Sequence, residues 1–315
     1  MDKRKIGVIG IGHVGAHVAY SILIQGLADE VILIDRSEKK LTSEVQDLRD
    51  AVAYMPRRAE INPGDFSELK DCDIVIYSIG NTGLLVGNEN RTAELDFTIP
   101  IVRNLAKNIK ESGFNGILIN VANPCDVVTR EMAKILELPK GHVFGTGTGL
   151  DTSRLLSVLS RKTGIDHKSI HAYMIGEHGN KQFCPWSCAS FGSEPLDQLA
   201  KRDELYNFDQ AAVQKEAIGG GWVTFAGKRC TEYGISATTA RMVAMVLRDE
   251  KAIIPASTEL DGEYGEKDVF VGVPCVIGKD GVEKVIELPL NEQEKEEFHA
   301  CCEGIRENIK HSETI

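Results

Sequence analysis

A glycine-rich segment near the start of the chain, Gly10-Ile11-Gly12-His13-Val14-Gly15, constrains the fold more than any other feature of the sequence. The β-branched run at 5–9 before it predicts a short strand, and the segment 14–25 after it predicts a helix. A second buried strand is predicted over 31–35, and it closes on Asp35, twenty residues past Gly15. This order of strand, glycine turn, helix and acidic strand end predicts a β–α–β unit.

Each glycine of this segment has a physical reason to occur in a turn that binds a dinucleotide. Gly10 permits the tight turn, Gly12 lets a pyrophosphate approach the backbone, and Gly15 allows close packing of helix on sheet. The helix N-terminus adds N–H groups and the positive end of a dipole. Asp35 is suited to bind ribose hydroxyls and to repel a 2′-phosphate, which favours NAD over NADP, although Arg36 could pair with such a phosphate. The motif alone leaves FAD, a sugar nucleotide or a turn without any nucleotide open.

The rest of the first half continues this alternation of strands and helices. Buried strands are predicted at 73–79, 116–121 and 143–144, and helices at 39–54, 91–112 and 127–136. Continuous apolar strands separated by helices predict a parallel sheet covered on both faces, and right-handed crossovers make it doubly wound. We therefore expect an α/β fold with a Rossmann-type doubly wound parallel sheet in residues 1–145.

After about residue 145 the pattern changes to shorter strands mixed with helices. Strands are predicted at 169–175, 184–190, 269–278 and 282–288, and helices at 151–162, 203–218, 232–250 and 291–310. Asp280-Gly281 predicts a hairpin, and Asn291 with Glu294 predicts a capping box. We expect residues 146–315 to form a mixed α+β substrate domain that packs closely on the first, since no Pro-rich linker separates them.

The charge balance and the hydropathy pattern exclude several classes of protein. Lys and Arg number 36 against 47 Asp and Glu, a net charge of −11, which disfavours nucleic acid and anionic membranes as partners. No run of about 18 apolar residues occurs, so a membrane span is not expected. The basic start of the chain leads into a short stretch broken by glycines, which does not fit a signal peptide. The expected location is the cytoplasm.

The eight cysteines predict neither disulfides nor a metal site. They form no CxxC pair, and the single CxxxC, Cys184 with Cys188, has no matching second half, so no metal is expected. Most are expected to be small core residues, and Cys301-Cys302 to line a C-terminal helix.

The strongest chemical signal of the second half is Gly176-Glu177-His178-Gly179-Asn180. A histidine between glycines can project into a cleft, and imidazole is suited to proton transfer near neutral pH. Asp151 could fix its tautomer, and Arg154, three residues on, could hold a substrate carboxylate with two hydrogen bonds. The alternatives are a structural histidine, a helix N-cap for Asp151 and a solvated face for Arg154.

A third candidate element is the loop from Asn81 to Arg91, between a predicted strand and a predicted helix. It leaves the carboxyl edge of the sheet, where ligands bind in open α/β folds. Its glycines and asparagines suit a mobile lid, which would bring Arg91 to a carbonyl and stabilise its developing charge. The alternative is a plain surface loop with Arg91 in the first helical turn.

Together these elements resemble the L-lactate/malate dehydrogenase family, in its L-2-hydroxyacid branch. The resemblance runs nearly end to end, through 10–15, Asp35, 78–81, Arg91, 123–126, 151–154, 176–180, Thr231 and 264–274. It implies hydride transfer between C2 of an L-2-hydroxy acid and C4 of a nicotinamide, with NAD as cofactor.

The resemblance also implies roles for single residues. His178 matches the acid/base, Asp151 its orienting carboxylate, and Arg154 the clamp for the substrate carboxylate. Arg91 matches the lid arginine that polarises the C2 oxygen, and Thr231 a small residue lining the pocket. The remaining matches are cofactor contacts: Val14, Gly80, Asn81, Asn104, Thr146 and Asn123, the last also touching substrate.

The lid loop departs from the family pattern at the position that selects the substrate. Gln there accompanies lactate and Arg accompanies malate, whereas this chain has Gly83, Leu84, Leu85 and Val86. The absence of a second arginine argues against malate. The apolar loop resembles that of L-2-hydroxyisocaproate dehydrogenase and favours an apolar C3 substituent contacted by Leu84 and Leu85. L-lactate dehydrogenase is the alternative.

Regulation and assembly are expected to follow the same family. Leu156 and His171 stand where enzymes activated by fructose bisphosphate carry Arg and His, so absent or weak activation is expected. A homotetramer is expected, with a dimer as the alternative.

Two other classes of protein are alternatives to the dehydrogenase. A non-catalytic NAD(H)-sensing protein would need only the glycine turn and Asp35. An NAD-dependent glycosidase would need a Cys–His metal pair.

Overall fold

The computed structural model describes residues 3–80, 83, 94–179 and 181–315. In the first half, strands and helices alternate as predicted, except for one additional strand at Glu60–Pro63 that the sequence analysis did not predict. They are β1 (Lys5–Ile9), α1 (His13–Ile24), β2 (Glu30–Ile34), α2 (Glu38–Val52), β3 (Glu60–Pro63), β4 (Ile74–Tyr77), α3 (Leu95–Glu111), β5 (Ile117–Asn120), α4 (Cys125–Leu136) and β6 (Val143–Gly145).

The second half begins and ends with helices. Its elements are α5 (Gly149–Thr163), β7 (Ile170–His171), β8 (Ser190–Phe191), β9 (Glu194–Pro195), α6 (Leu196–Arg202), α7 (Gln210–Lys228), α8 (Tyr233–Leu247), β10 (Ala252–Asp261), β11 (Lys267–Gly278), β12 (Gly281–Val285) and α9 (Glu292–Ser312). Asn291 caps α9, and Glu294 completes the predicted capping box.

Six parallel strands form the predicted doubly wound sheet. Their spatial order is β3-β2-β1-β4-β5-β6, so the chain winds outward from β1 in both directions. The residues of β4 and β5 are fully buried, because helices cover both faces of the sheet. The carboxyl ends of β1 and β4 meet at the switch point, the place where such folds bind ligands.

Three strands of the second half extend this sheet. β10 pairs with β6 through Ser257 and Gly145, and β11 and β12 follow in antiparallel order, giving nine strands. The sequence did not predict β10, because Pro255 interrupts its apolar run. In the structure Pro255 lies opposite Pro274 of β11. The division at residue 145 stays a prediction.

Other elements of the second half are shorter or longer than predicted. The strands expected at 169–175 and 184–190 reduce to the two-residue strands of a small sheet, β7-β8-β9. The helix expected at 203–218 begins only after the N-cap Asp209 and continues to Lys228 through Gly219, Gly220 and Gly221. The buried residues of α7 are Val213, Ala217 and Gly221, at a spacing of four that puts them on one side of the helix.

Seven of the eight cysteines are buried, and none forms a disulfide; Cys188 is half-buried. Cys301 and Cys302 lie on the buried side of α9, as expected. Among the described residues no three His, Cys, Asp or Glu side chains gather as a metal site would require. The described helices include none that is both long and apolar enough to cross a membrane.

Candidate active site

The glycine turn leaves open space where the helix α1 begins. Gly10 has a φ of +89°, and a Cβ on Gly15 would lie 1.9 Å from the carbonyl oxygen of Gly10. A Cβ on Gly12, by contrast, would meet no atom within 4 Å. The fold therefore requires glycine at Gly10 and Gly15. Glycine at Gly12 instead leaves the space in front of the N-terminus of α1 open. A phosphate group fits this arrangement.

Asp35 fixes the turn to the end of β2. Its Oδ2 accepts a hydrogen bond from the backbone N–H of Ile11 at 2.8 Å, and its Oδ1 accepts one from that of Ser37 at 2.9 Å. The carboxylate therefore lies beside the turn, as a contact with the ribose of a dinucleotide would require.

His178, Asp151 and Arg154 form one hydrogen-bonded group. Nδ1 of His178 lies 2.6 Å from Oδ2 of Asp151, and Nη1 of Arg154 donates to Oδ1 of Asp151 at 2.8 Å. The Asp151 side chain is only 2% exposed and that of His178 12%. A buried carboxylate between two partners fixes both, so the imidazole and the guanidinium hold a set distance from each other.

Asp151 and Arg154 lie on helix α5, whereas His178 lies on a loop whose backbone is hydrogen-bonded to β11. Asp151 and Arg154 lie one turn apart on α5, in its first turns. The loop of His178 leaves the sheet at Gly176, whose N–H donates to the carbonyl of Gly272 on β11 at 2.9 Å. The two elements meet through the contact of Asp151 with His178.

Asp126 is hydrogen-bonded to the backbone of His178, a contact that the sequence analysis did not assign. Its Oδ2 accepts a hydrogen bond from the backbone N–H of His178 at 3.0 Å, and its Oδ1 accepts one from the Ser257 hydroxyl at 2.6 Å. It is buried in the first turn of α4, and burial raises the pKa of this carboxyl to about 6. The sequence places this acidic residue between a predicted buried strand and a predicted helix, but no local pattern pairs it with His178.

A cavity of about 110 Å³ joins residues that the sequence analysis had assigned separately. Among the predicted site residues it is lined by Val14, Asn123, Thr146, Arg154, His178 and Thr231. Its remaining wall is mainly apolar and includes Val121, Trp222, Phe225 and Ile235.

Not every predicted residue lies at this cavity. Asn104 is exposed on α3, and Gly80 is exposed just past the end of β4. Asn81, Leu84, Leu85 and Arg91 lie outside the described residues.

Thr231 and a glycine of α7 shape the surroundings of the guanidinium. Nη2 of Arg154 donates to the Thr231 hydroxyl at 3.5 Å. A Cβ on Gly221 would lie 3.2 Å from the same nitrogen, so glycine there leaves room for the arginine head group.

Comparison with known proteins gives matches along nearly the whole chain. The lactate/malate dehydrogenase NAD binding domain matches residues 4–145, and the lactate/malate dehydrogenase alpha/beta C-terminal domain matches 148–315. L-lactate dehydrogenase of Fusobacterium nucleatum is 37% identical over 312 residues, 98% of this chain and 97% of that protein. L-lactate dehydrogenase 1 of Bifidobacterium longum is 38% identical over 312 residues, 98% of each.

Solved structures resemble this one closely. A lactate dehydrogenase from a Medee basin deep-sea metagenome, MGS-M5, superimposes with a TM-score of 0.94 at 33% identity, covering 99% of this chain and 100% of that one. The minor L-lactate dehydrogenase from Enterococcus mundtii in its ligands-bound form gives a TM-score of 0.93 at 31% identity, covering 98% of both chains.

Proposed function

This chain belongs to the lactate/malate dehydrogenase family, and we propose that it interconverts L-lactate and pyruvate with NAD(H) as cofactor. It is an NAD-dependent lactate-type dehydrogenase, and the choice of lactate rests on relatives that carry that name. The observation that carries the proposal is the hydrogen-bonded group of His178, Asp151 and Arg154, whose imidazole and guanidinium both line one cavity. This arrangement suits a 2-oxo acid, because one group can transfer a proton to the C2 oxygen while the other binds the carboxylate.

The glycine turn and Asp35 are the residues that would hold the cofactor. The open space over Gly12 suits the diphosphate, and the Asp35 carboxylate suits a ribose without a 2′-phosphate. Val14, Asn123 and Thr146 line the cavity on this side and are proposed cofactor contacts. Gly80, Asn81 and Asn104 are proposed only from the family pattern. When bound, NAD(H) supplies or accepts the hydride at C2 of the substrate.

His178 is the proposed acid and base. Because Nδ1 lies against Asp151, Nε2 is the nitrogen left for the substrate oxygen. In the direction of reduction, the imidazolium gives its proton to the C2 oxygen as the C–H bond forms; in oxidation, neutral imidazole takes the proton of the alcohol. The Asp151 carboxylate stabilises the charged ring in each direction.

Arg154 is the proposed clamp for the substrate carboxylate. Its guanidinium is held by Asp151 and Thr231, which aims the fork into the cavity beside His178. Arg91 is proposed to polarise the C2 oxygen on closure, on the family pattern alone.

A larger, branched 2-oxo acid is the competing candidate. Apolar side chains of Trp222, Phe225 and Ile235 line the cavity and suit an apolar C3 substituent. The test is kcat/KM with NADH for pyruvate, 2-oxoisocaproate, oxaloacetate and phenylpyruvate. Pyruvate is expected to lead by more than about tenfold, which corresponds to about 1.4 kcal/mol in the transition state. A lead for 2-oxoisocaproate would replace lactate by a 2-hydroxyisocaproate-like substrate, with Leu84 and Leu85 as its contacts.

Assembly, location and regulation are proposed from the family as well. We expect a homotetramer in the cytoplasm, and sedimentation equilibrium distinguishes a tetramer from the alternative dimer. Leu156 packs against an apolar cluster of the second half and offers no charge to a sugar phosphate. Titration with fructose bisphosphate is expected to leave KM for pyruvate unchanged, and strong activation would contradict this.

A further inference from the structure

A chain of three polar residues, His13, Glu232 and Lys228, links the glycine turn to the junction between α7 and α8. Nδ1 of His13 lies 2.9 Å from Oε1 of Glu232, and Nζ of Lys228 contacts the other carboxylate oxygen of Glu232. The Glu232 side chain is only 9% exposed, whereas that of His13 is 73% exposed. A nearly buried carboxylate thus has one partner on α1 and one on α7.

Each end of this chain is next to a residue of the proposed site. His13 is the first residue of α1 and precedes Val14, which lines the cavity. Glu232 directly follows Thr231, whose hydroxyl accepts the hydrogen bond from Arg154. The carboxylate therefore joins the turn proposed for the diphosphate to the residue that holds the proposed substrate clamp.

Two ring contacts adjoin this chain of residues. Nζ of Lys228 lies 3.9 Å from the centre of the Tyr233 ring, and the ring of His17 meets Tyr233 edge-on at 5.4 Å. The Lys228 ammonium lowers the pKa of the Glu232 carboxyl, so this group is an anion at neutral pH. An anion close to the turn proposed for a diphosphate is unfavourable unless a cation compensates it, and the Lys228 ammonium does so here.

We propose that Glu232 is a positioning residue that couples the cofactor turn to the substrate pocket. By holding His13 and Lys228 together, it fixes the start of α1 and, through the main chain, the hydroxyl of Thr231 beside Arg154. The inference rests on the dehydrogenase activity but not on the identity of the 2-oxo acid. It assigns no contact with substrate to Glu232.

Glu232→Gln tests the proposal, because the amide keeps the shape but loses the negative charge and one of the two acceptor oxygens. With the 2-oxo acid that the wild-type enzyme uses best, KM is expected to rise about five- to tenfold, within the range of measured couplings between contacting residues. The value of kcat is expected to stay within about twofold, since His178 and Asp151 are untouched. The Kd of NADH without substrate, from fluorescence titration, is expected to rise about threefold.

His13→Ala removes the other end of the link from an exposed position, so it tests the same proposal if Glu232→Gln folds poorly. The double variant is expected to have the KM and the NADH Kd of Glu232→Gln alone, because both changes break one link. Glu216→Gln is the matched control: it removes an ion pair of α7 with Arg161, 2.7 Å long, away from the turn. That variant is expected to leave KM and Kd unchanged.

Three outcomes would overturn the proposal. They are an unchanged KM in both single variants, effects on KM and Kd that add in the double variant, and a fall in kcat as large as the rise in KM. A wrong substrate assignment would show in the panel of oxo acids and not in these ratios, so the two proposals fail separately.

Discussion

Asp151 is hydrogen-bonded to His178 at 2.6 Å through one carboxylate oxygen, while the other holds Arg154 at 2.8 Å. The proposed proton-transfer group and the proposed carboxylate clamp are thus oriented by the same buried side chain. A defect in Asp151 is therefore expected to affect both substrate binding and chemistry, whereas a defect in either partner affects one of them.

Asp151→Asn is expected to lower kcat by about 100-fold or more and to raise KM for the 2-oxo acid. The single amide oxygen cannot accept from both partners, and the amide does not stabilise an imidazolium. Steady-state kinetics measures both effects, and fluorescence titration is expected to give an unchanged Kd for NADH. A kcat within about threefold of wild type would contradict the orienting role of Asp151.

Arg154→Lys is expected to raise KM by about 10- to 100-fold, because an ammonium replaces two parallel hydrogen bonds by one point charge. Arg161→Lys on the same helix is the control, since Arg161 pairs with Glu216 instead of reaching the small cavity. Both KM values are measured at saturating NADH. Their ratio shows whether replacing guanidinium by ammonium matters specifically at Arg154 or equally at another arginine of α5. Equal KM values would show that Arg154 is not the clamp.

Sequence reasoning predicted the parts of the molecule that depend on local spacing. The glycine turn, Asp35 and the pair Asp151–Arg154 each lie within one strand, turn or helix, so period and spacing suffice. The contact of Asp126 with the backbone of His178 joins positions 52 residues apart, and no local pattern encodes it.

Long-range pairing also explains the longest of the strands that the sequence analysis missed. β10 contains Pro255, which locally disfavours a strand, yet β11 supplies partners along its full length. Tertiary pairing thus overrides local preference at this position.

Gly12→Ala and Gly15→Ala are expected to separate cofactor binding from folding. A Cβ on Gly15 would lie 1.9 Å from the Gly10 carbonyl oxygen, so this variant must shift α1 and lose about 2 kcal/mol or more of stability. A Cβ on Gly12 meets no atom within 4 Å, so thermal unfolding is expected to stay near that of wild type. The same methyl fills the proposed diphosphate approach, and the Kd of NADH is expected to rise about tenfold or more.

The comparison needs both readouts from each variant. Differential scanning calorimetry gives Tm and fluorescence titration gives Kd. A Gly12→Ala protein that binds NADH as tightly as wild type would move the proposed diphosphate position away from this turn.

Asp126 predicts a dependence of stability on pH. Burial raises its pKa to about 6, above its usual value, so the folded protein binds this proton more tightly than the unfolded chain does. The resulting stabilisation is complete below the unfolded pKa, near 4, and is lost as pH rises through about 6. Between pH 5 and 7 the loss amounts to about 1 kcal/mol.

Asp126→Asn removes this titration while keeping one acceptor for the N–H of His178 or the hydroxyl of Ser257. Urea unfolding at pH 5, 6 and 7 is expected to show that the stability advantage of wild type over the variant shrinks by about 1 kcal/mol across the range. Ser257→Ala serves as the matched control, because it removes one hydrogen bond to the carboxylate but keeps the titrating group. Its difference from wild type is expected to grow as pH rises, since the hydroxyl stabilises the charged form. A wild-type advantage over Asp126→Asn that is constant from pH 5 to 7 would mean that the carboxyl is already ionised at pH 5.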